Sequence, residues 1–472
     1  MRQDDAINAK NPKEVIFFAS NNVSTYLYMN KAITIIILLI GLVKVNAQPD
    51  SVKIKFDLSV RYRLELWNGM NGKNYGDDSP TAFGKLNDNI LYQRVITGLT
   101  FLPSKKITIA FHLQDSRAFG WSLRNSVYPD LFKIRKAGTQ TPYYTMNPNE
   151  EFFEIYDAYV EYNQLLKDLS VKLGRQKIFY GDSRIFGPGE WGNTGRWTWD
   201  ALKVSYKKGE NFVDAFAGGT KIHDPEKVSI PFTQTEFWGG GIYSHINIPK
   251  VFSIEPFYAY KTEGSADYIN NLQFKRNWTG LRIFNNDFNH FVFDLTAVKE
   301  FGSENGKTID AYGWFAKAGY QFHNIPAKPI ISIRESYASG GKKTDDKIYT
   351  FEPAYGAQDK YYGWMNITTW SNLDDREIVL ELFPVKNMWV EIKYNRFYIP
   401  VPDDVTLLNT MKLDPGKHHL GDEFDTFIRY QVLKHWQLTG AFGYFIPGEL
   451  SPINNKPAKD AEWFALQVLF TF

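Results

Sequence analysis

The sequence contains no cysteine, which excludes a disulfide framework and thiolate metal ligands. It also lacks sustained helical periodicity after Gln48 and, apart from one short segment, any long hydrophobic run. Its mean hydropathy of −0.36 is that of an ordinary soluble protein. These absences argue against a helical fold and against membrane-spanning helices, so a β-rich protein is the expected class.

The one hydrophobic run covers Ala32–Val43, and a small-residue cleavage site, Val45-Asn46-Ala47, follows it. The run is shorter than the roughly 20 residues that a spanning helix needs. Residues 29–47 are therefore predicted to be a signal peptide, and an uncleaved anchor is the less favoured alternative. Residues 1–28 are polar and precede a second methionine, which predicts an upstream extension in front of the true start.

Charge is balanced in this chain, and aromatic residues are abundant. The net charge is +2, and the predicted leader carries two more basic than acidic residues, so the mature chain is neutral. A neutral chain gives no indication of a nucleic-acid partner. Phe, Tyr and Trp make up 16% of the residues, a content that suits the two aromatic girdles of a membrane-spanning β-barrel.

Alternation of apolar and polar residues is the dominant pattern, and it is clearest in residues 52–66. Apolar side chains occupy the even positions there, whereas Arg61, Arg63 and other polar residues occupy the odd ones. This segment exceeds the usual length of about five or six residues in soluble strands and suits a tilted strand that crosses a bilayer. Further strands are predicted at 88–102, 106–118, 151–163, 169–180, 198–208, 211–219, 234–248, 251–263, 272–284, 289–301, 308–322, 328–339, 376–384, 388–398, 422–432, 436–446 and 461–472.

Short and long connections alternate between these strands. Long loops are expected at 68–87, 119–150, 181–197, 220–233, 264–271, 302–307, 340–375, 399–421 and 447–460. This rhythm is typical of a bacterial outer-membrane barrel with short periplasmic turns and long extracellular loops. Counting Lys360–Trp370 as a strand would break it, so residues 48–472 are predicted to form an all-β, 18-stranded antiparallel transmembrane β-barrel. The loop at 340–375 is long enough to fold back into the lumen.

The chain ends on a segment whose apolar face consists of Phe464, Leu466, Val468, Phe470 and Phe472. A strand that closes a barrel presents such a face to lipid and pairs with the first strand. We therefore expect contact with outer-membrane lipid and recognition by the barrel assembly machinery through Phe472. A large soluble all-β protein is the alternative, but the signal peptide, strand lengths and loop rhythm together argue against it.

Alternation also assigns charged side chains to the lumen, because an arginine facing lipid in mid-bilayer costs about 2–4 kcal/mol. The lumen candidates found in this way are Arg61, Arg63, Arg94, Asp157, Arg282 and Arg334. Mixed basic and acidic walls would orient polar solutes rather than exclude one sign of charge. A solvated wall position without a role in transport is the competing interpretation for each residue.

Two places break the alternation. Phe427 and Arg429 share a face, and Arg175 falls in register with Leu173, which is expected to face lipid. We interpret both as local failures of the pattern, and a bulge after Gly174 would return Arg175 to the lumen.

The densest group of charges lies between residues 173 and 201. It contains Arg175, Asp182, Arg184 and Arg196, interleaved with Tyr180, Trp191, Trp197 and Trp199. Guanidinium groups bind carboxylates bidentately and aromatic faces bind sugar rings, so this mixture suits an acidic polysaccharide. We therefore predict that Arg175, Asp182, Arg184 and Arg196 also belong to the substrate path in the lumen. A loop held together by internal salt bridges is an equally weighted alternative.

Motifs in and around this segment point to a known family. They are Asp157-Ala158-Tyr159, Gly174-Arg175-Gln176, Tyr180-Gly181-Asp182-x-Arg184, Trp191-x-Asn193, Asp200-Ala201, Tyr337–Gly340, Thr350–Pro353 and Tyr361–Gly363. In combination they resemble the alginate export family of outer-membrane barrels. The resemblance implies a monomeric 18-stranded barrel whose arginine-rich lumen passes a polyuronate outward, with periplasmic export partners supplying the polymer.

We predict no catalytic, cofactor or metal site. None of the eight histidines has a metal-ligand spacing, and Ser116 with His112 fits two polar wall residues better than a hydrolase pair. The predicted function is a channel for anionic or polar polysaccharide in the outer membrane of a diderm bacterium. An uptake porin for small nutrients is the alternative, and a barrel enzyme or adhesin is a third, less favoured class.

Overall fold

The computed structural model describes residues 52–70, 85–122, 133–136, 139, 143–268, 273–357, 361–402, 412–452 and 457–472. The predicted extension at 1–28 and signal peptide at 29–47 lie outside the described residues and stay predictions. Within the described ranges, no helix has the length and apolar character needed to cross a membrane.

Strands joined by turns and loops make up the described chain. They are β1 (Lys53–Asn68), β2 (Asp88–Ser104), β3 (Ile107–Phe119), β4 (Lys133–Lys136), β5 (Tyr144–Thr145), β6 (Glu151–Leu166), β7 (Leu169–Lys177), β8 (Thr198–Lys208), β9 (Asn211–Thr220), β10 (Phe237–Ile248), β11 (Phe252–Glu263), β12 (Ala266–Tyr268), β13 (Phe274–Phe288), β14 (Phe291–Glu304), β15 (Lys307–Gln321), β16 (Ile330–Ala338), β17 (Leu373–Leu382), β18 (Met388–Tyr398), β19 (His419–Leu433), β20 (Trp436–Pro447) and β21 (Ala461–Thr471).

A closed barrel is formed by 18 of these strands, and the predicted architecture is confirmed. Each barrel strand pairs antiparallel with its neighbours in sequence, and β1 also pairs with β21, from Ser59 with Thr471 to Asn68 with Glu462. Backbone hydrogen bonds of 3.2 and 2.8 Å between Leu58 and Phe472 extend this pairing to the last residue. Closure leaves no sheet edge whose backbone groups would be unpaired in lipid.

The two faces of each strand differ as alternation predicts. On β1, Tyr62 and Leu64 are exposed on the outside of the barrel, whereas Arg61, Arg63 and Glu65 are buried on the lumen side. The outside is apolar because lipid solvates only apolar side chains favourably. On β1, the even-numbered side chains therefore face lipid and the odd-numbered ones face the lumen.

Two features of the loops differ from the prediction. The connection predicted as a long loop at 302–307 is a two-residue turn, Asn305-Gly306, because β14 and β15 continue to Glu304 and Lys307. Both turn residues have positive φ, 48° and 83°, as a tight hairpin requires. In addition, β4, β5 and β12 form a small separate sheet at the end of the barrel that carries the long loops.

Two long loops run inside the barrel. The first inner loop is residues 178–197, and the second is residues 339–372 without the undescribed residues 358–360. They meet in a parallel bridge between Phe186 and Tyr355, where Tyr355 accepts a hydrogen bond from Gly187 (2.9 Å) and donates one to Ile185 (3.0 Å) through its backbone. The second loop thus enters the lumen, which its length permits. The first loop carries Asp182, Arg184 and Arg196, which are predicted from the sequence to lie in the lumen.

Candidate functional site: the lumen and its two inner loops

Arg61 and Arg94 hold the first inner loop against the wall formed by β1 and β2. Arg61 donates hydrogen bonds to the carbonyl oxygens of Glu190 (2.9 Å) and Gly192 (3.0 Å) and to Oδ1 of Asn193 (3.0 Å). Arg94 reaches the carbonyl oxygens of Glu190 and Gly192 at 3.4 Å. Both guanidinium groups face the lumen, as predicted, but both are buried, so they anchor the loop instead of meeting solute.

Asn193 ties the same loop to β2, β3 and the segment before β6. Its amide donates to the carbonyl oxygens of Gln93 (3.2 Å), Arg117 (3.0 Å) and Asn149 (2.8 Å). The Ser116 hydroxyl donates to the carbonyl oxygen of Asn193 at 2.9 Å. A single buried amide therefore satisfies backbone acceptors on several segments, which explains in physical terms why the motif at 191–193 has an asparagine.

Arg63 binds Trp191, the loop residue between Glu190 and Gly192. Its guanidinium lies 4.2 Å from the ring centroid of Trp191 and also donates a hydrogen bond to the Trp191 carbonyl oxygen. Its Nε is 2.6 Å from a carboxylate oxygen of Glu65. Arg63 is thus a third loop anchor, and with Arg61 and Arg94 it forms one cluster.

Arg184 joins the two inner loops. It contacts Asp182 on its own loop, with Nε 2.9 Å from Oδ2, and it lies 3.7 Å from the ring centroid of Phe315 and 4.4 Å from that of Tyr361. Burial and the nearby charge of Asp182 raise the pKa of Tyr361 well above its usual value, so this ring stays neutral beneath the cation. Asp182 keeps 21% of its side chain exposed, whereas Arg184 is buried.

Arg282 and Arg334 lie on the wall and form ion pairs with carboxylates on nearby strands. Arg282 bridges Asp294 (2.7 Å) and Glu255 (2.8 Å), and Arg334 bridges Glu381 (2.7 Å) and Glu391 (3.3 Å). Both arginine side chains keep more than a tenth of their surface exposed, 11% and 14%. Of the predicted arginines on barrel strands, these two remain in contact with the open part of the lumen.

Asp157 also faces the lumen. Its Oδ1 lies 2.6 Å from Nδ1 of His112, whose Nε2 lies 3.1 Å from a carboxylate oxygen of Asp57. His112 therefore sits between two carboxylates. Ser116 gives its hydroxyl to the first inner loop, so the two residues considered for a hydrolase pair are engaged with different partners.

Arg196 stands apart from the other loop residues. It forms a bidentate ion pair with Glu236 (2.9 and 3.0 Å), and its guanidinium lies 4.4 Å from the ring centroid of Trp197. Its side chain is 43% exposed at the end of the barrel that carries the long loops. It is therefore positioned at the outer entrance, away from Arg184.

Arg175 is not a lumen residue, and this part of the prediction is wrong. The pairing of β7 with β6 and β8 continues without a shift through Gly174, whose φ is +129°. Arg175 therefore stays on the outward side with Leu173. It binds Asp200 (2.8 Å) and Glu154 (3.1 Å), and the loop residue Ser229 covers it. The outward arginine is therefore kept from lipid by a buried ion cluster, and no bulge is needed.

Phe427 and Arg429 do not break the alternation, contrary to the interpretation from sequence. Both face the lumen, where Phe427 is fully buried against Trp364 of the second inner loop, with ring centroids 4.1 Å apart. The exposed Arg429 guanidinium lies 5.3 Å from the Phe427 ring centroid and 5.6 Å from that of Trp389. Alternation alone assigns Arg429 to the lumen. Phe427 on the same face suggests lipid contact, and this obscures the assignment.

Comparisons with known proteins agree on the architecture. A family model described as alginate export matches residues 54–462. The fold is similar to Acinetobacter baumannii OccAB2 (10% identity, 89% of this chain and 98% of that chain, TM-score 0.57) and to the outer membrane protein OprD from Pseudomonas aeruginosa (11% identity, 90% and 95%, TM-score 0.55). A BenF-like porin from Pseudomonas fluorescens Pf-5 is similar at 9% identity, 89% and 98% coverage and a TM-score of 0.54. No curated protein matches the chain.

Proposed function

Because the chain belongs to the alginate export family and is an outer-membrane channel, we propose that it passes anionic polysaccharide across the outer membrane. The observation that carries this proposal is the family match, which covers nearly the whole barrel, from residue 54 to residue 462. We propose that the protein acts as a monomer in outer-membrane lipid, without a catalytic site, and that periplasmic partners supply the polymer.

The lumen chemistry supports an anionic, polar substrate. Arg282, Arg334 and Lys317 are partly exposed beside their carboxylate partners, so both signs of charge line the open part of the lumen. A passing carboxylate can exchange with a wall carboxylate at such a paired arginine, which gives weak, repeated binding. Conduction needs this kind of binding, because a solute must enter readily and also leave.

A second candidate, an uptake porin for small solutes, is favoured by one specific observation. The inner loops contact the barrel wall on widely separated strands, at Ser116 on β3, the Tyr260 carbonyl oxygen on β11 and Asp425 on β19. They therefore narrow the half of the lumen that is near the long loops, which suits small solutes better than a polymer.

Current recordings from the purified protein in planar bilayers separate the two candidates. We expect anion preference and block by tetragalacturonate, a short polyuronate, at concentrations where the neutral maltotetraose does not block. Replacing Arg282 and Arg334 by glutamine should weaken the block, whereas replacing Arg376, which is exposed on the outside, should not. Cation preference without block by tetragalacturonate would contradict polyuronate passage and support uptake of small solutes.

A further inference from the structure

A cavity of about 950 Å³ opens at the end of the barrel that carries the short turns, which faces the periplasm. Two turns form its rim, residues 322–329 between β15 and β16 and residues 383–387 between β17 and β18. A backbone hydrogen bond of 2.7 Å from Phe383 to Ala327 joins these turns. The volume lies within the roughly 300–1,000 Å³ of typical ligand pockets, so the cavity has room for a short saccharide.

The charges that line this cavity are all of one sign. Lys328, Lys386 and Arg429 contribute to the lining, and none of its residues is an aspartate or a glutamate. Elsewhere in the lumen, the exposed arginines Arg282 and Arg334 stand beside carboxylates. The cavity is therefore a locally basic place in a channel whose charges are otherwise balanced.

Arg429 differs from the lumen arginines described above, because its guanidinium N–H groups have no acceptor in the described part of the chain. It makes no hydrogen bond or ion pair with any residue that the structure describes, although Glu391 and Glu190 lie close enough to attract its charge. Its planar group contacts the rings of Trp389 and Phe427. An arginine held by aromatic rings is oriented without its N–H groups being consumed, so those groups are available to a ligand.

Trp389 completes the arrangement. It pairs with Arg429 across β18 and β19, so both side chains point to the same side of the wall. The indole nitrogen donates to Glu381 (3.3 Å), a carboxylate already bound by Arg334 and Lys317, which fixes the ring. Gln431 and Gln437 also line the cavity, where the Gln437 amide donates to the Gln431 side-chain oxygen at 3.2 Å. An aromatic face and a guanidinium with free N–H groups suit a sugar ring that carries a carboxylate.

We propose that this cavity is a subsite for uronate residues at the periplasmic mouth, in which Arg429 binds the carboxylate and Trp389 packs against the sugar ring. The subsite rests on the proposed passage of anionic polysaccharide and places its first contact with the channel here. Capture at the mouth would orient a polymer end before it reaches the ion-paired wall and the inner loops.

Calorimetric titration of the full barrel in detergent with tetragalacturonate tests the subsite. Arg429→Gln should weaken binding about tenfold or more, because it removes the charge-assisted hydrogen bonds. Trp389→Leu should also weaken binding, whereas Trp389→Phe, which keeps an aromatic face, should retain most of it. The control Arg376→Gln removes the same charge on the outer surface and should bind as the wild type does. Maltotetraose, which is neutral, should bind weakly to all variants.

The outcomes separate the subsite from the proposed function. If wild-type protein binds tetragalacturonate no better than maltotetraose, the passage of anionic saccharide is contradicted together with the subsite. If wild-type protein prefers tetragalacturonate but Arg429→Gln and Trp389→Leu bind as tightly as Arg376→Gln, the subsite alone is overturned. The same result would follow if the cavity served as a docking site for a periplasmic protein. Retention of heat-modifiable mobility on gels identifies the variants that are folded.

Discussion

At the scale of single residues, the contacts of a charged side chain decide its role more than its position on the lumen face. Arg61 and Arg429 both face the lumen, but the first is buried on loop carbonyl oxygens and the second is exposed on aromatic rings. Alternation predicts the face because lipid penalises charge strongly. It cannot predict which backbone meets the guanidinium, because that depends on the path of a loop far away in sequence.

Replacing Arg175 by methionine tests whether this arginine lies outside the lumen in a buried ion cluster. Removal of the arginine leaves Asp200 and Glu154 buried without their cation, so the free energy of unfolding should fall by about 3–5 kcal/mol. Ion selectivity should stay unchanged, because the residue lies outside the lumen. Denaturant unfolding in detergent and reversal potentials in bilayers measure the two effects. The exposed pair Arg376–Asp374 is the control, and Arg376→Met should change stability little. A selectivity change without loss of stability would return Arg175 to the lumen.

At the scale of elements, the inner loops were the feature that the sequence predicted least completely. Loop length indicated that the second loop could enter the lumen. The dense charges of the first loop assigned Asp182, Arg184 and Arg196 to the lumen but did not predict that the two loops meet there. A signal was nevertheless present in Gly239-Gly240-Gly241 on β10. A Cβ on Gly239 would overlap the Tyr355 hydroxyl, and one on Gly241 would lie 2.6 Å from the Phe186 ring. Glycines within a strand indicate a close approach by another segment, and here that segment is the inner-loop bridge.

The double replacement of Arg61 and Arg94 by glutamine tests whether these residues anchor the first inner loop. Shorter, neutral side chains cannot hold the carbonyl oxygens of Glu190 and Gly192, so the loop should become mobile. We expect larger single-channel conductance and more current noise, with only a small change of ion preference because both arginines are buried. A strong shift towards cations at unchanged conductance and noise would show instead that they line the path.

The bridge between the loops can be weakened from the wall. Gly239→Ala should displace the Tyr355 ring and break the hydrogen bond from its hydroxyl to the Tyr260 carbonyl oxygen (2.6 Å), which loosens the second inner loop. Single-channel conductance should rise. Gly440→Ala is the matched control, because no atom beyond its chain neighbours lies within 4 Å of the added methyl group, and it should conduct as the wild type does. Equal conductance of the two variants would argue against a role of the bridge in narrowing the lumen.

At the scale of the whole molecule, the barrel could be predicted nearly completely from the sequence. Alternation, loop rhythm and the apolar last strand each follow from the same requirement that all backbone groups be paired and all lipid-facing side chains be apolar. The balance of charge also appears in the structure, because the lumen arginines Arg276, Arg282 and Arg334 each bind a carboxylate on a neighbouring strand. The substrate path could not be predicted as well, since it lies where the wall meets two loops that obey no periodic rule.

The closing strand gives the molecule-scale test. Deletion of Phe472 removes both backbone hydrogen bonds to Leu58 and the exposed terminal ring, so the folded fraction in the outer membrane should fall severalfold. Pores that do assemble should keep their conductance and selectivity, because Phe472 does not face the lumen.

Phe472→Ala separates loss of the backbone pairing from loss of the ring, since it keeps the pairing and loses the ring. If the alanine variant assembles as poorly as the deletion, the assembly machinery recognises the ring. If it assembles normally, closure by the backbone is what matters, and altered selectivity in either variant would contradict the pairing of β1 with β21.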